Sequence, residues 1–208
     1  MATLLKLDSS PMGERSVSRK LTRKFADTWL KAHPDGKIIE RDLTTLPLGV
    51  IDGLWVGAAY TPEASRTKEQ TAALRVSDQL IAELQGADEY VFGVPMHNFG
   101  IPSTLKLWID QISRVGKTFS YGAGGPKGLL TGKKATLLLA TGGVYAQGTA
   151  MAALDFVTPY LRAVLGFLGI TDVTVIVAEG TAQLISGQVD PQTFLAPSLE
   201  KVHVHASL

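Results

Sequence analysis

The stretch Thr3-Leu4-Leu5-Lys6-Leu7-Asp8-Ser9-Ser10-Pro11-Met12-Gly13-Glu14-Arg15-Ser16-Val17-Ser18-Arg19 decides the architecture of this chain. Thr3 to Leu7 is an apolar run of strand length, and beyond the serines Val17, Leu21, Phe25 and Trp29 recur at every fourth position, the period of an amphipathic helix. A strand that passes through a short polar turn straight into a helix is the opening unit of an alternating α/β fold. Four serines surround that helix start. Backbone N–H groups there lack intrahelical partners and the helix dipole favours negative charge, so a phosphate placed among Ser10, Ser16, Val17 and Ser18 would be well bound. Helix capping alone also accounts for one or two of these serines.

Working outward, Lys37 to Arg41, Glu89 to Val94, Ala135 to Ala140 and Val173 to Ala178 are further apolar or β-branched runs, giving five strands in all. Their spacing leaves room for one crossover helix each and none for a hairpin, so the sheet is predicted to be parallel with helices on both faces. Arg66 to Leu84, the Leu105, Trp108, Ile109, Ile112 pattern and Leu154 to Leu168 supply such helices. No linker or repeat divides the chain, and residues 1–208 are predicted to form one domain. The Gly-rich segment Gly122 to Gly132 reads as a long loop. Leu46 to Gly57 mixes apolar residues with glycines, and a partner chain could cover it. His203 and His205 read as part of a solvated C-terminal tail.

Composition excludes several roles. With 20 Lys+Arg against 19 Asp+Glu, the chain has no electrostatic footprint for nucleic acid or an acidic membrane. It has no cysteine, and so no disulfide, thiolate nucleophile or Cys-based metal site. No secretory leader and no apolar stretch of about 18 residues is present, and a cytoplasmic location is expected. Any anion must be held locally, by serines and a helix end, with no basic patch required.

In open parallel sheets, ligands bind beyond the carboxyl ends of the strands. The first loop has neither the Gly-Lys-Ser/Thr ending of a P-loop nor a G-x-G-x-x-G, which favours a phosphate monoester over a dinucleotide. Asp42, near the end of the second strand, reads as a solvated strand end. After the third strand, Pro95-Met96-His97-Asn98-Phe99-Gly100-Ile101-Pro102-Ser103 is stiffened by prolines, and Ser103 can cap the next helix. Met96 and Phe99 suit a planar heteroaromatic ring, and Asn98 offers it both a donor and an acceptor. After the fourth strand, Ala140-Thr141-Gly142-Gly143 lets the backbone approach a ligand closely. The three loops become neighbours if the strand order is 2-1-3-4-5.

At these residues the chain resembles the FMN-dependent NAD(P)H azoreductases, a branch of the flavodoxin-like quinone reductases. The likeness extends through Arg41-Asp42-Leu43, Leu129 to Ala135, Val157-Thr158-Pro159-Tyr160-Leu161 and Leu165 to Val173. It implies a flavodoxin-like three-layer sandwich, with FMN as bound cofactor and NADH or NADPH as electron donor. It further implies that Ser10, Ser16, Val17 and Ser18 hold the phosphate of FMN. Pro95, Met96, His97, Asn98 and Phe99 would line the flavin ring, with Ala140, Thr141, Gly142 and Gly143 at its pyrimidine end. Members of the family are homodimers, and Tyr121 and Phe167 stand where the family places substrate-facing aromatics; Tyr60, in the loop after Trp55 and near the substrate side, stands where a family member can carry Arg. His97 occupies a position that is usually Tyr.

The implied activity is two-electron reduction of quinones and aromatic azo compounds in a ping-pong cycle, with the chemistry on the flavin. His97 is the candidate catalytic side chain, since imidazole exchanges protons near neutrality. A static hydrogen bond to the flavin edge is its other reading. The alternative function is a flavodoxin-type FMN electron carrier without substrate turnover, against which the near-neutral charge counts. A cofactor-free hydrolase would need a Gly-x-Ser-x-Gly elbow, and none follows any strand.

Overall fold

Alternation along the first strand sets the layers. In the computed structural model, which describes residues 2–207, β1 (Thr3–Asp8) sends Leu5 and Leu7 to one face and Leu4 to the other. Leu4 packs with Leu21, Phe25 and Trp29 of α1 (Val17–Ala32). β2 (Lys37–Asp42) then leads to α2 (Gly53–Tyr60) and α3 (Lys68–Gly86), followed by β3 (Glu89–Pro95) and α4 (Ser103–Ile112). A small hairpin, β4 (Phe119–Gly122) and β5 (Gly125–Gly128), precedes β6 (Lys134–Ala140). α5 (Val157–Leu168), β7 (Asp172–Ala178), the short α6 (Ala182–Ile185) and α7 (Pro191–Ala206) complete the chain.

The five long strands form one parallel sheet in the order β2-β1-β3-β6-β7. Counting only its own strands, this is 2-1-3-4-5, as the sequence predicts. Helices α3, α4 and α5 cover the face carrying Leu5, Leu7, Phe92 and Leu137, and α1 and α7 cover the other. Continuous apolar runs are what such strands require, because both their faces are buried.

Several expectations are corrected. The segment from Gly122 to Gly132 is not simply a loop: Tyr121 pairs with Pro126 and Gly122 with Gly125 across an antiparallel hairpin. Gly128 has no room for a side chain there, since a Cβ would lie 2.1 Å from the backbone N of Gly169. The tail is helix α7, started by Pro191 behind the N-cap Asp190, whose side chain accepts from Thr193 N. His205 Nε2 lies 3.0 Å from Thr136 Oγ1 and His203 Nδ1 lies 3.3 Å from Thr28 Oγ1, so both histidines dock the helix. Two helices, not one, join β2 to β3, and Tyr60 ends the first of them rather than standing in a loop. Helix α4 is capped by Pro102 without a side-chain bond, leaving Ser103 as its first residue.

The start of α1 sits hard against the middle of the sheet. Asp8 is buried, accepts from Thr22 Oγ1 at 2.7 Å and pairs with Lys6 Nζ at 3.1 Å. Its register partner on β3 is Gly93, where a Cβ would meet Asp8 Oδ1 at 2.7 Å, Thr22 Cγ2 at 2.8 Å and Ser18 O at 3.3 Å. Only a residue without a side chain fits. Gly93→Ala is therefore expected to cost about 1–3 kcal/mol through overpacking, read as a lowered urea midpoint. Unchanged stability would show that α1 can lift away freely.

Candidate functional site

The carboxyl ends of β1, β3 and β6 open into a cleft of about 520 Å³. Its first wall is the turn between β1 and α1. Ser9 fixes the turn to the sheet, its backbone N and Oγ both donating to Gly93 O, at 3.1 and 2.8 Å. Arg19 braces it from the other side: Nε and Nη2 donate to Ser10 O at 2.9 and 2.7 Å, and Nη2 also reaches Asp42 Oδ1 at 2.7 Å. Ser16 is the N-cap of α1, accepting from Arg19 N at 3.3 Å.

This cradle has hydroxyl hydrogens to spare. Ser10 is 2% exposed and lines the cleft; its Oγ accepts from Met12 N at 3.4 Å but donates to no acceptor among the described residues. Ser16 Oγ and Ser18 Oγ lie 3.2 Å apart, and that one bond uses one of their two hydrogens. A buried donor without an acceptor is costly unless a ligand satisfies it.

The second wall is the loop after β3. Met96 N donates to Ala140 O at 2.8 Å, tying it to β6. His97 and Gly100 then exchange two backbone hydrogen bonds, of 2.9 and 3.0 Å, around Asn98 at φ 48° and Phe99 at φ 69°. Two successive left-handed residues make the pattern of a type I′ turn. Asn tolerates that conformation, whereas Phe there is strained by an amount of order 1–3 kcal/mol. Phe99 is held there by Phe156 N, which donates to its carbonyl at 3.2 Å, and by an edge contact with Tyr145 at 6.5 Å.

The third wall is the loop after β6, fastened to the end of β7. Thr141 N donates to Ala178 O, Gly180 N to Gly143 O, Thr181 N to Thr141 O and Ala182 N to Gly142 O, all within 3.0 to 3.2 Å. The fastening carries Thr181 to the cleft, whose lining Leu184 and Pro191 also join.

Of the residues singled out from the sequence, Ser10, Ser16, Val17, Pro95, Met96, His97, Ala140 and Gly142 line the cleft. Ser18 sits behind Ser16, fully buried. Asn98 and Phe99 form the exposed turn tip, Thr141 is buried with its hydroxyl on Gly143 O, and Gly143 faces Tyr145. Tyr60, Tyr121 and Phe167 are not on the cleft wall of their own chain. Tyr60 is 76% and Tyr121 69% exposed, and Phe119 bridges Tyr121 and Phe167 at ring distances of 5.6 and 4.6 Å. Sequence reasoning missed Arg15 and Lys20, which also line the cleft. Their signal lay in position: Arg15 directly precedes Ser16, and Lys20 follows Ser18 by two residues.

Asp42 is not the solvated strand end that its sequence suggests. Partial burial pushes its carboxyl up, but hydrogen bonds from Arg19 and Thr44 outweigh this and hold it down at about 2. A second groove of about 550 Å³ opens beside it, across the same turn from the cleft. Its cations are already paired: Lys6 with Asp8, Arg19 with Asp42, Arg23 with Glu14 and Arg41 with Glu83.

A doubly wound parallel sheet with an anion cradle at a helix start and an apolar wall beyond it defines a nucleotide-type α/β protein. Residues 2–201 match the family described as having a flavodoxin-like fold, and the chain belongs to that family. A protein of Acidobacterium capsulatum named FMN-dependent NADH:quinone oxidoreductase is 55% identical over 207 residues, covering 100% of both chains. The crystal structure of an azoreductase from Bacillus anthracis str. Sterne superposes with a TM-score of 0.89 at 31% identity, over 100% of this chain and 99% of that one. An FMN-dependent NADH-azoreductase from Bacillus anthracis str. Ames Ancestor, solved in complex with FMN, gives 0.87 at 28% identity over 100% and 98%.

The Arg19–Asp42 pair braces the cradle, and acid should loosen it. The folded pKa of Asp42 lies below its ordinary 3.8, so the stabilisation is present above about pH 4 and is lost as pH falls through about 2. Asp42 is 34% exposed, which limits the gain to about 1 kcal/mol. Urea unfolding should show Asp42→Asn less stable than wild type at about pH 7, with the gap closing towards about pH 2.5. A gap independent of pH would contradict this.

Proposed function

We propose that this chain is an FMN-dependent NADH:quinone oxidoreductase that also reduces aromatic azo compounds. The observation that carries the reading is the cleft's two-ended chemistry. One end offers unsatisfied serine hydroxyls and two cations, and the other an apolar floor of Pro95, Met96 and Ala140. A flat heteroaromatic ring on a phosphate-terminated tail, the shape of FMN, satisfies both ends at once. The names of the full-length relatives support the same cofactor and a catalytic role over a mere electron carrier.

When bound, FMN would supply the centre that takes hydride from the nicotinamide and passes it to the acceptor. The protein's part is binding and orientation. Ser10, Ser16 and Ser18, with the first N–H groups of α1, would hold the phosphate. Pro95 and Met96 would set the ring plane, and the rigid His97–Gly100 turn would fix the ring edge. Backbone groups of residues 140–143 would face the pyrimidine end, where the fastening to residues 180–182 holds the loop still. We assign His97 the static role, a hydrogen bond at the ring edge.

Tyr60, Tyr121 and Phe167 would then act from a second copy of the chain. They are exposed aromatics away from their own cleft, and Val50, Leu54 and Val56 add exposed apolar surface on and before α2. A helix that is apolar on every side, as α2 is, calls for covering on both faces. The proposed active form is accordingly a homodimer in which partner aromatics roof the open side of each cleft. No helix among the described residues is long and apolar enough to cross a membrane. A cysteine-free chain that uses NADH fits the cytoplasm.

One pocket serving both substrates makes a kinetic statement. Initial rates with NADH and menadione should give parallel double-reciprocal lines, with each substrate inhibiting competitively against the other at high concentration. Intersecting lines would contradict a shared pocket. For the static role, His97→Phe should keep the pH profile of kcat and lose less than about tenfold in rate. A loss of about 100-fold or more with a flattened profile would make His97 the proton donor instead.

A further inference from the structure

Five cations stand in the first loop and the first turns of α1; Lys24 lines neither the cleft nor the groove beside Asp42, and the other four divide into two kinds. Arg19 is spent on Asp42 and Ser10 O, and Arg23 on Glu14. Arg15 and Lys20 form no ion pair and no side-chain hydrogen bond among the described residues, both are exposed, and both line the cleft. No aspartate or glutamate shares that lining. Arg15 immediately precedes the N-cap Ser16, and Lys20, whose N–H donates to Ser16 O at 3.2 Å, lies one turn above it on the same helical face. The uncommitted hydroxyl hydrogen of buried Ser10 belongs to the same end of the cleft.

A chain with a net charge of only +1 thus concentrates two free cations where a phosphate would sit. The nearby acids are engaged elsewhere. Glu14 takes both of its oxygens to Arg23, Asp190 accepts from Thr193, and Glu179 accepts from Tyr145 N. His97, the other titratable group on the wall, belongs to the loop after β3, at the ring end.

We propose that Arg15 and Lys20 form a two-cation clamp that selects a dianionic phosphate monoester, so that the site discriminates FMN from riboflavin chiefly by charge. The inference rests on the FMN reading and adds residues to it. Serine hydroxyls and helix N–H groups satisfy geometry for any phosphate oxygen, whereas a pair of exposed, unpaired cations responds to the second negative charge. A phosphate monoester gains that charge with a pKa near about 6. Discrimination should therefore weaken in mild acid and in salt, which screens exposed charges.

The test titrates the full-length chain, freed of flavin, with FMN and separately with riboflavin, following quenching of flavin fluorescence. Arg15→Gln and Lys20→Gln should each weaken FMN roughly tenfold, and the double variant more, while riboflavin binding stays within about twofold. Lowering the pH from about 7.5 to about 5.5 should weaken FMN several-fold in the wild type and far less in the double variant. Riboflavin serves as the control for folding and for His97, since it shares the ring. A double variant that binds FMN as tightly as the wild type, with the same pH dependence, overturns the clamp and leaves the FMN reading intact. A wild-type chain that takes up neither flavin overturns both. Arg15→Lys and Lys20→Arg, which keep the charge, should restore FMN affinity, and failure to do so also counts against selection by charge.

Discussion

The ligand-binding edge of this protein depends on how near the first turn of α1 comes to the middle of the sheet. Gly93 leaves no atom between β3 and the helix, so the buried Asp8 carboxylate can take the Thr22 hydroxyl and Ser9 can bond twice to the Gly93 carbonyl. Each contact is short and local, and together they determine where the N–H groups of α1 point. Arg19 then locks the turn from outside through the Ser10 carbonyl and Asp42. A parallel sheet gathers the loops of β1, β3 and β6 on one edge, but this close seating aims the first of them.

Around that seat the chain separates charge from bulk composition. Near-neutral overall, it pairs Arg19 and Arg23 with carboxylates and leaves Arg15 and Lys20 facing an acid-free cleft. The other end of the cleft is apolar and stiff. The left-handed Phe99 is held by the His97–Gly100 bonds, Phe156 N and Tyr145, and such stored strain commonly accompanies a functional loop. Rigidity suits a site whose chemistry belongs to a bound ring, since the protein's work is to hold that ring and admit flat acceptors above it.

Much of this was legible in the sequence. Strands buried on both faces are continuous apolar runs, so Leu4 to Leu7, Tyr90 to Val94 and Leu137 to Ala140 declared themselves, and with them the three loops. The β4–β5 hairpin did not, because Gly125-Pro126-Lys127-Gly128 has no apolar alternation and carries residues that ordinarily mark loops. Helix α7, whose histidines read as a solvated tail, starts at Pro191, where helices accept proline, and runs through Pro197, where they ordinarily do not. Asp42 was underrated because its partner Arg19 is distant in sequence. Net charge concealed Arg15 and Lys20, since a sum near zero says nothing about where the unpaired charges lie. Thr181 reaches the cleft through tertiary hydrogen bonds to Thr141, for which no local pattern exists.

The most direct test of the central claim is the visible absorption of the purified protein after incubation with FMN and removal of free flavin. The account predicts one retained flavin per chain, bleached by NADH without air and restored by menadione. A colourless protein, or a retained flavin that NADH does not bleach, would contradict it.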